Sequence, residues 1–191
     1  MNPYEKCPIY ENEAYFLRLV EPSDAPDLLL VYSDEKAVPF FNSDNCNGDT
    51  FHYTSLERMQ SAISFWRLAY DQGAFVRWSI IDKGNSQAIG TIELFNRRSN
   101  DYFHNCGLLR LDLRSDYENE ESIRQILSLI VPPAFELFDC GMVATKIPPY
   151  ALSRKTAAES FGFHASQEKL IGGDDKKEYT DYYVLLSTHS A

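Results

Sequence analysis

Two residues apart, His104 and Cys106 could present a pair of metal ligands from one face of a strand, but two ligands do not make a site and the remaining histidines are dispersed. Cys7, Cys46, Cys106 and Cys140 contain no C-x-x-C pair, a pattern that fits isolated thiols in a reducing compartment better than a zinc site or a disulfide frame. Acids are more concentrated. Asp116, Glu118, Glu120 and Glu121 stand at the head of an apolar-periodic run, where Ser115-x-x-Glu118 matches a capping box and carboxylates complement a helix dipole by about 0.3–2 kcal/mol each. Glu93 and Asp112 each alternate with apolar residues in β-rich runs, so each belongs to one face of a strand, expected to be the face that meets solvent. Tyr179, Tyr182 and Tyr183, with Trp66 and Trp78, supply rings for core packing or for the wall of a groove.

The elements that would position these groups are legible from periodicity. Tyr15–Val20 reads as a strand, and Asp24 as an N-cap for a helix over Asp27–Tyr32 with Pro26 in its first turn. Phe40 and Phe41 are expected to reach the core, and Asn42–Asp49 to form a polar loop. Thr54-x-x-Glu57 matches a capping box ahead of Leu56, Met59, Ile63, Trp66 and Tyr70, spaced as one face of a helix that stops at Gly73. Phe75–Asp82 and Gln87–Asn96 form a hairpin about Lys83–Ser86, and Gly107–Leu113 a further strand. A helix then carries Ile123, Ile126, Leu127, Ile130 and Val131, with a break or kink expected near Pro132-Pro133. Met142–Ile147 is a strand, Pro149–Phe161 a helix closed by Gly162, and His164–Ile171 and Tyr179–Leu186 two final strands about Gly172–Asp175.

Composition narrows the class. At 191 residues, 44% hydrophobic and 24% charged, the chain reads as one globular domain over 1–191. No run approaches the ~20 apolar residues of a membrane span, and Met1–Tyr10 carries Glu5, Lys6 and two prolines where a signal peptide would be apolar, so a soluble, cytoplasmic protein without a membrane partner is expected. Eighteen Lys and Arg against 28 Asp and Glu give a net charge of −10, with the basic residues scattered, so nucleic acid is not an expected partner.

The order of strands and helices, with Gly162-Phe163 ending a helix before a closing hairpin, resembles the GNAT superfamily of acyl-CoA-dependent N-acyltransferases over nearly the whole chain. Leu17–Glu35 (LRLVEPSDAPDLLLVYSDE), Ala88–Phe95 (AIGTIELF) and Ser153–Phe163 (SRKTAAESFGF) are similar to its ribosomal-protein N-terminal acetyltransferase branch. The resemblance implies an α/β (α+β) fold: a twisted, splayed mixed sheet flanked by helices, in which Gly107–Leu113 and Met142–Ile147 diverge at one end with acetyl-CoA in the gap. It further implies acetyl transfer to a primary amine of a small molecule or peptide. Strand amides and carbonyls at the splay, those of Leu111 and Leu113, would hold the pantetheine arm. Glu93 and Asp112 lie on segments where the family often places its base. Lys146 and Arg154, with Lys155 and Arg124, border the implied cleft and would supply a phosphate grip.

The sequence departs from that family at the pyrophosphate loop, whose pattern is Q/R-x-x-G-x-G/A. Counted from Tyr117, the corresponding residues are Glu118–Ile123: every glycine is gone, and glutamate stands at the Gln/Arg position. Carboxylates there repel phosphate, and side chains crowd the approach to the helix N-terminus. Ala151 and Ala158 replace an asparagine and a thiolate-protonating tyrosine common in the family. The alternative reading is therefore a non-catalytic GNAT-like module with a degenerate acetyl-CoA site that binds a ligand or protein partner.

Overall fold

The computed structural model describes residues 2–187. The strands are β1 (Tyr10–Glu11), β2 (Tyr15–Leu19), β3 (Val76–Asp82), β4 (Gln87–Arg97), β5 (Cys106–Leu113), β6 (Met142–Lys146), β7 (His164–Ala165), β8 (Leu170–Ile171), β9 (Glu178–Tyr179) and β10 (Tyr182–Leu186). The helices are α1 (Ala25–Tyr32), α2 (Leu56–Asp71), α3 (Glu120–Leu137) and α4 (Leu152–Glu159). One mixed sheet runs in the order β1-β2-β3-β4-β5-β6-β10-β7, and β8 and β9 pair apart from it. Neighbours are antiparallel except β5 and β6, which are parallel because α3 carries the chain back between them.

Alternation sorts the strand residues between two layers. Trp78, Ile80, Ile92, Leu94, Leu109, Leu111 and Leu113 pack with α3 and α4 on one face. A second apolar cluster joins Leu28, Val31 and Tyr32 of α1 to Met59, Ile63 and Trp66 of α2 over the opposite face. The expected helices and strands form, and most differences are local. Ser55, not Thr54, caps α2, its hydroxyl accepting from the Arg58 N–H at 3.2 Å. Asp24 leaves the α1 N-terminus uncapped by its side chain, because its buried carboxylate takes Arg18 (2.6 and 2.8 Å), Ser79 Oγ (2.6 Å) and the Glu21 N–H (2.9 Å). Pro132 and Pro133 sit within α3, which runs through to Leu137; their side chains are on its outer side, where carbonyls deprived of N–H partners can meet water. The two final strands each divide in two: β7 and β8 are separated by residues 166–169, and Asp181 turns the chain at φ +68° between β9 and β10.

The parallel pair supplies the expected divergence. Cys106–Leu109 of β5 pair with Met142–Thr145 of β6, and pairing stops there. Beyond it β5 stays with β4 through Leu113↔Gly90, while β6 stays with β10 through Lys146↔Tyr182. A Cβ on Gly90 would lie 2.2 Å from the Asp112 carbonyl, so glycine is what lets β4 follow β5 along this diverging half.

Candidate active site

Register alone assembles the most polar part of the sheet. Arg77, Glu93 and Arg110 stand side by side on β3, β4 and β5, and Ser79, Thr91 and Asp112 form the next row on the same face. Both rows are roofed by α1 and α2, so Glu93 and Asp112 are buried where alternation alone suggested a solvent face, and these groups must satisfy one another. Glu93, 2% exposed, accepts from Arg77 through Nε (3.2 Å) and Nη2 and from Arg110 Nη1 at 3.0 Å. Arg77 Nη1 also donates to Thr91 Oγ1 (3.0 Å), Tyr32 Oη (3.1 Å) and Asp112 Oδ2 (3.1 Å), and its guanidinium lies 4.2 Å over the Trp66 ring. The Tyr32 hydroxyl donates to Asp112 Oδ2 at 2.8 Å. Asp112 Oδ1 is buried without a partner among the described residues.

The two carboxyls therefore titrate in opposite directions. Burial pushes Glu93 up, but the Arg77 and Arg110 guanidiniums more than offset it and hold the group below the ordinary glutamate value. Burial pushes Asp112 up as well, and Arg77 and the Tyr32 hydroxyl offset only part, so it stays raised. A groove of about 390 Å³ opens onto the first row, between Trp66 and Phe75 on one side and the loop at Cys46 and Phe51 on the other.

On the opposite face, between the diverging ends of β5 and β6, lies the slot for which the sequence nominated Leu111, Leu113, Lys146 and Arg154. Leu109, Leu111, Ile123, Leu127, Ile147 and Ala158 line it, with Lys146 and Arg154 at its edge. Its free volume is about 10 Å³, the room of a single water at most. Leu113 is buried in the neighbouring core and does not line the slot. Neither cation is free. Lys146 Nζ donates to both Asp44 oxygens at 2.7 Å, and Tyr182 Oη donates to Asp44 Oδ2 at 3.0 Å. Arg154, 5% exposed, donates through Nε to Glu118 Oε2 at 3.0 Å, through Nη2 to Glu118 Oε1, and through Nη1 to the Phe40 carbonyl at 3.0 Å.

The Ser115–Glu118 capping box does not form. Asn119 caps α3 by accepting from the Ser122 N–H at 3.0 Å, Ser115 lies in a 3-10 turn with its N–H on Asp34, and Glu118 is drawn to Arg154. Arg154 is the stronger attraction because it is a buried cation, whereas the helix N–H groups could be capped equally well by Asn119. Lys155 and Arg124 are exposed and pair with acids on their own helices, Glu159 and Glu120–Glu121.

Sequence reasoning singled out Glu93 and Asp112 but passed over Arg77, Arg110, Tyr32 and Asp44. A usable signal existed: Arg110 and Asp112 are two apart in GLLRLDL, hence on one strand face, and Arg77 interrupts an apolar strand. Asp44 gave none, since its loop reads as solvated and its burial depends on Lys146, 102 residues away.

With this geometry in view, the model of the acetyltransferase (GNAT) domain family matches residues 15–164 of the chain. Among solved structures the chain is similar to the ribosomal-protein-S5-alanine acetyltransferase from Vibrio fischeri, at 15% identity and TM-score 0.70, covering 95% of this chain and 98% of the other. It is similar also to Mycobacterium smegmatis RimJ in complex with CoA-disulfide (11% identity, TM-score 0.70, 94% and 86% covered). A GNAT-family acetyltransferase from Bacillus anthracis matches at 12% identity and TM-score 0.67, with 94% and 98% covered. At these identities the likeness is one of fold. No curated protein matches the chain.

Proposed function

The chain belongs to the acetyltransferase (GNAT) domain family, and from that premise we propose that it is an N-acetyltransferase, moving acetyl from acetyl-CoA to a primary amine of a small molecule or peptide with Asp112 as the proton acceptor. The observation that carries this reading is the buried, partnerless Oδ1 of Asp112, on the half of β5 that has parted from β6. A base needs an accessible lone pair and a pKa above the ordinary carboxylate range, and Asp112 has an oxygen without a partner and a raised pKa, whereas both oxygens of Glu93 accept from arginines and its pKa is lowered. Tyr32 and Arg77 fix Oδ2, which leaves Oδ1 to take the amine's proton through water from the adjacent row, onto which the groove opens. Glu93 stays ionised between two arginines and holds Arg77 in place.

When bound, acetyl-CoA supplies an acyl thioester whose carbonyl carbon gains the amine nitrogen as the thiolate departs. The walls at Leu109, Leu111, Ile123, Leu127 and Ile147 and the main chain of β5 left without a β6 partner have the chemistry a pantetheine arm needs, but the slot, about 10 Å³, must widen to admit one. The pyrophosphate end does not fit as it stands: Glu118 occupies Arg154, and Glu120 and Glu121 head α3. That same contact favours a second reading, a non-catalytic module whose slot is closed and whose opposite groove binds a ligand. Calorimetric titration with acetyl-CoA separates the two, because saturation at 100 times Kd should also stabilise the fold by about 2.7 kcal/mol. With binding established, Asp112→Asn should lower the rate about 10²- to 10⁴-fold and abolish its rise with pH. An unchanged rate removes Asp112 from the mechanism, and no binding leaves the module.

A further inference from the structure

The chain carries a net charge of −10, yet a second groove, about 490 Å³, is lined by Arg97, Arg98, Arg110 and Lys176 against only Asp44 and Asp101. It lies between β4 and β5 on one side and the β8–β9 hairpin on the other, and it shares Asn45, Phe95 and Arg110 with the groove over Glu93. The two are adjacent compartments, each within the ~300–1,000 Å³ range of ligand pockets.

The acids in this second compartment are already engaged. Asp101 is gripped by Arg97 at 2.5 and 2.7 Å, and both oxygens of Asp44 belong to Lys146, which stands outside the groove. Two cations are left over, and a third, Arg110, keeps one N–H without an acceptor. Arg98 is exposed and makes no ion pair among the described residues, and Lys176 is exposed with its ammonium on the Gly173 carbonyl. Arg110 shares Glu93 with Arg77, gives Nη2 to the Asp44 carbonyl at 2.9 Å, and has a buried Nε without an acceptor. On a molecule whose overall field repels anions, a local surplus of cations in a concave, partly desolvated place selects them.

Building on the acetyltransferase reading, we propose that the acceptor is an acidic peptide with a free N-terminus: its amine enters the first groove at the Arg77–Glu93–Arg110 row, one row from Asp112, and the carboxylates of its next residues lie in the second compartment against Arg98, Lys176 and Arg110. Two linked compartments hold a short peptide, where a single small amine would fill one. Arg98 and Lys176 are then specificity-determining residues, remote from the acid–base chemistry and exposed, so reversing their charge leaves the fold intact.

The test is equilibrium binding, which needs no turnover. Fluorescein-labelled pentapeptides with a free N-terminal serine followed by acidic, neutral or basic residues are titrated against the full chain by anisotropy, with and without acetyl-CoA, at low and high salt. The acidic peptide should bind best and weaken as salt rises. In the Arg98→Glu, Lys176→Glu double variant its affinity should fall about tenfold or more while that for the basic peptide rises. Equal affinity for the three peptides, preference for the basic one, or no change on charge reversal overturns the proposal. Acetyl transfer is read separately: acidic-peptide binding without transfer upholds the acidic-peptide site but overturns the enzyme reading and with it the acceptor role, and transfer to neutral or basic peptides alone upholds the enzyme reading and overturns the site.

Discussion

Arg77 and Arg154 are both buried guanidiniums, and they are held in contrasting ways. Arg77 meets two carboxylates, two hydroxyls and the face of Trp66, all from elements fixed by strand register or by helix packing on the sheet. Arg154 meets one carboxylate, one carbonyl and, at 5.6 Å, the Phe40 ring, and that carboxylate sits in the short link between β5 and α3, at a residue with φ −76° and ψ 58°. A guanidinium surrounded by several independent partners is a structural fixture. One whose charge is answered by a single loop glutamate can exchange that partner for another anion, so the two sites differ in what they can release.

The contrast is broken most directly at Arg77. Arg77→Met leaves Glu93 with Arg110 alone and Asp112 with Tyr32 alone, so denaturant unfolding should show a loss of about 3–5 kcal/mol. A loss below ~1 kcal/mol would show that the network contributes little net stability. Glu118→Gln should remove about 1–3 kcal/mol by weakening the answer to Arg154, and should raise acetyl-CoA affinity as the carboxylate that competes with phosphate is lost. Replacing Glu118–Ile123 by a glycine-rich, basic loop should raise that affinity further while reducing stability through the lost Asn119 cap and added chain entropy. Tight acetyl-CoA binding by the unmodified chain, indifferent to both changes, would mean that the phosphates are held elsewhere. A smaller difference is expected at the head of α3: Asn119→Ala should reduce stability by about 1 kcal/mol, and Ser115→Ala should stay within ~0.5 kcal/mol.

The pH dependence sharpens the same comparison. Glu93, Asp24 and Asp101 are each held below the ordinary carboxylate range, because their arginine and hydroxyl partners outweigh burial. Their contribution is complete above unfolded values of about 3.9–4.3 and is lost as pH falls through the folded ones. Asp112 has the opposite sign: raised in the fold, it favours folding when protonated, and that advantage declines as pH rises from about 3.9 through its folded value. Urea midpoints across pH should therefore fall in acid for both proteins, while Asp112→Asn loses the decline on the higher-pH side. Identical profiles would show that Asp112 does not titrate as its surroundings require.

Periodicity located the helices and strands because a stripe of apolar residues follows from the element itself: Met59, Ile63, Trp66 and Tyr70 are buried on α2, as their spacing requires. Alternation likewise placed Glu93 and Asp112 on definite strand faces. Caps were less legible, since Thr54, Ser55, Ser115 and Asn119 can all accept from a helix N–H, and the choice among Ser115, Glu118 and Asn119 was made by Arg154, which is 36 residues from Glu118.

The sequence by itself determined the alternation, the order of elements and the absence of glycine from Glu118–Ile123, because each of these is a property of neighbouring residues. Only the tertiary structure decided that Arg77, Glu93 and Arg110 stand in one row, that Asp44 is buried beneath Lys146, and that Glu118 reaches Arg154 across the slot. Those pairings join residues 16 to 102 apart. Coulombic attraction and desolvation act through space, so no local pattern encodes which distant charge will answer a given one.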